Sequence, residues 1–162
     1  MVFKLKDYTT EIKAEKSISE IETMLIDFGA NAIFKECLAG EVSSISFKLG
    51  SNAYKLPANK KGVYKVLYDS KRPRHTNNGM KNREEHSYKV SWRIIRDWLH
   101  SQLSIIASGQ AEPEQVLLPY MRMGTQTLYE AYVKNLVLVK ALPEKSEGEK
   151  EYRVEPDKPE AG

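Results

Sequence analysis

Between Ser87 and Ser108 apolar side chains return every three or four residues: Trp92, Ile95, Leu99, Leu103 and Ile106. Ile94, Trp98 and Ile105 widen the same arc. That period belongs to a helix, and the arc is wide enough to be a face buried against the rest of a domain. Gly109 is placed to end it. A helix of roughly 22 residues is ~33 Å long, about the width of a small domain. Whatever else the chain builds must pack on it.

The remaining segments are shorter. Lys4 to Lys13, with Tyr8 and Ile12, alternates enough to suggest a first strand. Ser17 and Glu20 have the spacing of a capping box, and Ile18, Ile21, Met24, Leu25 and Phe28 follow at helical spacing, so a helix is expected over 18–28 with Gly29 beyond its end. Three strands are expected at 32–38, 42–49 and 53–56, joined by turns at 39–41 and 50–52. In the second of them Ile45, Phe47 and Leu49 share one face, and Ser44, Ser46 and Lys48 the other. Asn59 can cap a helix over 60–68, although Gly62 weakens it. A short helix begins at Pro113, flanked by Glu112 and Glu114, and stops at Pro119. Thr127 and Glu130 form a second capping-box spacing before a helix at 128–135, and Leu136–Leu142 suggests a last strand.

The expected fold is therefore α+β: a small antiparallel sheet flanked by helices, with one long central amphipathic helix. Residues 1–142 are read as a single globular domain, with a mobile basic loop at 69–86 that holds Pro73, Asn77, Asn78 and Gly79. Residues 143–162, rich in Glu, Lys and Pro, are read as a disordered charged tail. A hydrophobic fraction of 41% in 162 residues is enough for a real core.

Net charge is only +3, but it is unevenly spread. Residues 55–96 hold twelve Lys or Arg against three Asp or Glu, a local balance of +9. A concentrated basic stretch suits a polyanionic partner. Lys89, Arg93, Arg96 and His100 recur at steps of four, three and four, which sets them on one stripe of the long helix. Lys71, Arg72, Arg74, Lys81 and Arg83 precede that stripe, and Tyr64, Tyr68 and Tyr88 offer rings on which unpaired bases can stack. These twelve residues form the candidate nucleic-acid site. The bland alternative is a solvated face beside a core helix, in which Trp92 and Trp98 are core anchors and Asp97 pairs with Arg93.

Other chemistries have thin support. The three histidines, His75, His86 and His100, show no metal-ligand spacing, and no P-loop, GxGxxG or GxSxG occurs. No metal, cofactor or catalytic residue is assigned on these grounds. Cys37 lies in an apolar strand candidate and is expected to be buried. Asp7, Glu11 and Lys13 resemble the carboxylate–lysine set of a metal-dependent nuclease, but on a strand Asp7 and Glu11 stand ~13 Å apart, too far to share one ion. The single cysteine, the absence of a membrane-length apolar run and an N-terminus without a signal-peptide core point to the cytoplasm of a prokaryotic cell or infected host.

Three stretches, YTTEIKAEKSISEIETMLIDFGA at 8–30, VSWRIIRDWLHSQLSIIASGQAEPEQVLLPYM at 90–121 and TLYEAY at 127–132, resemble a family of small bacteriophage and mobile-element proteins of unassigned activity. The resemblance implies a virus-related role and carries over no site residue. The leading expectation is a non-catalytic nucleic-acid-binding protein, for single-stranded or structured nucleic acid rather than a specific duplex site. The runner-up is a protein-interaction or inhibitor module whose basic loop docks on an acidic host or viral partner. A nuclease comes third.

Overall fold

The computed structural model describes residues 3–69 and 77–141. The element order is α1 (Ala14–Asp27), β1 (Ala32–Leu38), β2 (Glu41–Leu49), β3 (Asn52–Pro57), α2 (Lys60–Tyr64), a π-helical turn (Lys65–Asp69), α3 (Asn77–Ala107), α4 (Pro113–Leu117), a 3-10 turn (Leu118–Tyr120), β4 (Arg122–Met123), β5 (Gln126–Thr127) and α5 (Leu128–Ala141). The fold is α+β, with the long helix at its centre.

The three strands form an antiparallel meander in the order β1-β2-β3. Ala39 and Gly40, both at positive φ, make the two-residue turn that joins β1 to β2. β4 and β5 form a separate small hairpin, tied to β3 by a bridge between Tyr54 and Met121. One face of the meander presents Ile45, Phe47, Tyr54 and Leu56 to Ile18, Ile21 and Leu25 of α1 and to Trp92, Leu99 and Leu103 of α3. Trp92 is 0% exposed, and its indole Nε1 donates to the Val42 carbonyl at 3.2 Å. The Val42 amide in turn donates to the Tyr88 hydroxyl at 3.0 Å. Two aromatic side chains of α3 therefore satisfy both backbone groups of one β2 residue, which fixes where the sheet sits along the helix.

The opposite sheet face is less open than its alternation suggests. Ser44 and Ser46 lie on it yet are buried. Ser44 Oγ donates to Glu36 Oε2 at 2.8 Å, and Lys55 Nζ reaches the same oxygen at 2.6 Å. Arg122 lies 3.4 Å from Ser46 Oγ and 3.8 Å from Glu36 Oε1. Long charged side chains thus lie over small ones, as their aliphatic stems allow.

Several expectations are corrected. Residues 4–13 form turns and no strand. Helix α1 starts at Ala14, so Ser17 is an interior, buried residue and no cap. Its would-be capping partner Glu20 is drawn to arginines of α3, a tertiary ion pair that outcompetes the local box. The end of α1 is as read: Gly29 at φ 101 accompanies Gly29 N–H to Ile26 and Ala30 N–H to Leu25, the paired bonds of a Schellman motif. Residues 77–86 of the expected mobile loop are helical, because α3 begins ten residues before its apolar stripe and that first stretch packs on α2. Residues 70–76, the rest of that loop apart from Asp69, lie outside the described residues. The expected strand at 136–142 is helical through Ala141 because α5 continues; Thr127 and Glu130 do form its capping box, at 3.2 and 2.8 Å. Cys37 is exposed, since β1 is an edge strand and the β1–β2 register shifts between Glu36 and Cys37, where Ser43 of β2 is the extra residue. The tail at 143–162 lies outside the described residues. No helix among the described residues is long and apolar enough to cross a membrane.

Candidate nucleic-acid interface

The π-helical turn at Lys65–Asp69 widens the helix that follows Asn59, whose side chain accepts from Gly62 N–H at 2.8 Å. π-helical turns are rare and often occur at functional sites. Here the turn presents Tyr68 to the first third of α3. The Tyr68 hydroxyl lies 2.6 Å from His86 Nδ1, and the Arg83 guanidinium lies over the Tyr68 ring, 5.3 Å from its centroid. The Tyr64 ring stands beside it at 5.3 Å, tilted by 54°. Burial pushes the Tyr68 hydroxyl above the usual tyrosine range, Arg83 opposes that shift and Tyr64 adds to it. The phenol is therefore neutral at pH 7 and can donate to an imidazole protonated on its other nitrogen.

Lys61 and Lys65, on the same helical stretch as the two tyrosines, are exposed, and so is Lys81 on α3. Glu84 and Glu85 are exposed too, and Glu85 pairs with Lys89 at 3.1 Å. Lys60 is held by Glu41 at 2.7 Å and lies 5.8 Å from the Tyr88 ring. A cleft of about 410 Å³ is lined in part by Leu38, Val42, Lys60, Lys61, Glu84 and Tyr88.

The twelve expected site residues separate into four sets. Tyr64, Tyr68 and Arg83 lie together on the α2–α3 face, while Lys81 is exposed two residues before Arg83 and so on another side of α3. Lys71, Arg72 and Arg74 lie outside the described residues. Lys89, Arg93 and Arg96 are engaged with carboxylates, and His100 is exposed a full turn beyond Arg96. Tyr88 is corrected outright: it is buried, and its hydroxyl serves the sheet.

The stripe on α3 is likewise corrected as a free basic surface. Glu20 Oε2 lies 2.9 Å from Arg93 Nη1 and 2.7 Å from Arg96 Nε. Arg96 Nη1 donates to Asp97 Oδ1 at 3.0 Å, and Lys6 also pairs with Asp97. Only 17% of the Arg93 side chain and 26% of the Arg96 side chain are exposed. Burial alone pushes the Asp97 carboxyl up, but hydrogen bonds from Lys6 and Arg96 outweigh it and hold the group below the usual aspartate range. Burial likewise works against the charged Arg96, whose carboxylate partners more than offset it. The cluster fastens α1 and the N-terminal segment to α3.

Sequence reasoning missed Lys61, Lys65 and His86. The i,i+4 spacing of Lys61 and Lys65 inside the basic stretch was the available signal. His86 had none, because its partner Tyr68 is 18 residues away. The nuclease-like set is not assembled: Asp7 sits at φ 58 in a turn beside Lys6, and Glu11 is exposed in an irregular segment. Among the described residues no three His, Cys, Asp or Glu side chains converge as a metal site. Neither a protein-family model nor a curated protein nor a solved structure matches the chain.

Proposed function

We propose that the protein is a non-catalytic nucleic-acid-binding protein of a phage or mobile element, and that it holds single-stranded or structured nucleic acid on the α2–α3 face. The observation that carries this reading is the Tyr64–Tyr68–Arg83 group, with Lys61 and Lys65 exposed on the same helical stretch as its tyrosines and Lys81 exposed on α3. Lysines attract phosphates and release counterions. Tyrosine rings and an arginine plane stack on unpaired bases without demanding a sequence. A duplex hides its base faces, so the aromatic part of the group favours unpaired strands.

Fluorescence anisotropy with labelled single- and double-stranded DNA and RNA across a salt series tests it. Affinity is expected to fall steeply with salt. Changing Lys61, Lys65 and Lys81 together to Ala is expected to leave the melting temperature unchanged. If each contacts a phosphate, it lowers the log–log salt slope on single strands by about 2. Tyr64→Ala is expected to weaken single-strand binding more than duplex binding. Absence of oligonucleotide binding at low salt, together with tight capture of an acidic protein, would give the face to a protein partner instead.

A further inference from the structure

The outer face of the meander is turned away from α1 and α3, which cover the other face. Its middle row is Phe34, Ser46 and Lys55, set opposite one another across β1, β2 and β3. Ser46 is buried, so the row has a low floor between a ring at one end and an ammonium group at the other. The ring is open: Phe34 is 65% exposed. In the next row Lys48 stands between Ala32 and Ala53, so neither neighbouring strand sets a carboxylate beside it. Lys48 is exposed and makes no ion pair among the described residues.

Among the strand positions of this face Glu36 is the one carboxylate. Lys55 and Arg122 share it, at 2.6 and 3.8 Å. Three cations, Lys48, Lys55 and Arg122, thus stand against one anion, a surplus of two positive charges beside an open aromatic ring. The charge suits a polyanion, and the ring suits one that carries flat groups able to stack.

We propose that the outer face of the meander is a second contact surface for single-stranded nucleic acid, on which Phe34 stacks a base and Lys48 meets a phosphate beside it. Phe34 lies opposite Ser46, and Lys48 is two residues further along β2. Such diagonal neighbours are ~7–8 Å apart, within reach of long and aromatic side chains. One nucleotide spans that separation from base to phosphate. Lys55 and Arg122 extend the positive field to the far side of the ring. A duplex hides its base faces and gains from the lysine alone. An acidic peptide likewise gains from the charges and leaves the ring unused. The proposal rests on the class of partner assigned to the α2–α3 face and adds a separate site for it. Because α3 packs on the core face of the sheet, the two sites let one molecule hold two segments of strand.

Amide shifts of the full chain, titrated with an oligothymidylate of about ten nucleotides and followed by NMR, read the two surfaces separately. Shifts are expected at Phe34, Ser46 and Lys48 as well as at Tyr64, Tyr68 and Arg83. Phe34→Ala is expected to weaken oligothymidylate binding by about fivefold or more and to change duplex binding little. Lys48→Ala is expected to lower the log–log salt slope on single strands by about 0.7. Both side chains are exposed, so the melting temperature should stay unchanged in each variant. Lys55 and Arg122 are left in place, since removing either loosens Glu36. Shifts confined to Tyr64, Tyr68 and Arg83, with both variants binding as wild type, overturn the proposal and leave the α2–α3 reading standing. Shifts confined to the sheet uphold the proposal and remove that reading. No oligothymidylate binding at low salt overturns both. Poly-glutamate that shifts the sheet amides as strongly as the oligothymidylate, at equal charge, gives this face to an acidic protein and overturns the proposal.

Discussion

Arg93 and Arg96 show how far a residue's role depends on what lies across from it. From the sequence they are two cations on the stripe of a basic helix. In the structure one carboxylate of α1, Glu20, takes both guanidinium groups, and Asp97 takes what is left. Removing one partner of a half-buried pair strands the other charge, which costs more than the pair itself contributes. Arg93→Ala and Arg96→Ala are each expected to destabilise the fold by roughly 1–3 kcal/mol, read by urea denaturation. Lys81→Ala, on the exposed face of the same helix, is expected to stay within about 0.5 kcal/mol of wild type. Equal stability for all three would show that the cluster with Glu20 does not form in solution.

At the scale of elements, what was legible followed from local chemistry. The meander, the Asn59 cap, the Thr127–Glu130 box and the Gly29 terminus all rest on residues within a few positions of one another, and all are present. What was missed rests on partners far away. The start of α3 and the loss of the Ser17 cap depend on contacts between α2 and α3 and between α1 and α3. The candidate site divides the same way: Tyr64, Tyr68 and Arg83 were visible as types, but that Tyr88 turns inward is decided by Val42, 46 residues away. The Val42 amide offers a test at this scale. Its hydrogen-bond acceptor belongs to α3 and not to a neighbouring strand, so its exchange rate reports docking of sheet on helix. Tyr88→Phe is expected to speed exchange at Val42 by about tenfold or more, since an N–H left without its partner loses roughly 1–3 kcal/mol. The amides of Ile45 and Phe47 should keep their protection, and equal acceleration at all three would mean that the whole sheet had loosened.

The molecule as a whole responds to acid through its paired carboxylates. Glu36 is held below the usual glutamate range first by the hydrogen bond from Lys55 and then by that from Ser44. Asp97 is also held low, by Lys6 and Arg96 against the opposing effect of burial. A carboxyl whose folded value is depressed contributes stability above its unfolded value, and that contribution is lost as pH falls through the folded one. Model carboxyls titrate near about 4, so these two groups are expected to leave the melting temperature level from about pH 6 to 8 and to lower it progressively below about pH 4. Asp97→Asn is expected to lower stability at pH 7 and to flatten that acid limb; an unchanged limb would assign the acid response elsewhere.

Helix α3 reaches backward along the chain for nearly everything it holds. Its bond from Arg93 to Glu20 closes 73 residues, and its bond from Trp92 to Val42 closes 50. Contacts that distant slow folding, because the chain must close large loops before burial stabilises it. On the ribosome the order of emergence sharpens the same point. Helix α1 and the meander leave the exit tunnel before α3 does. Until then Ile18, Ile21 and Leu25 have only the meander to cover them, and Ile45 and Phe47 lack Trp92. The nascent chain spends that interval with its future core in water, and it is in that interval, before α3 emerges, that a chaperone has the most to bind.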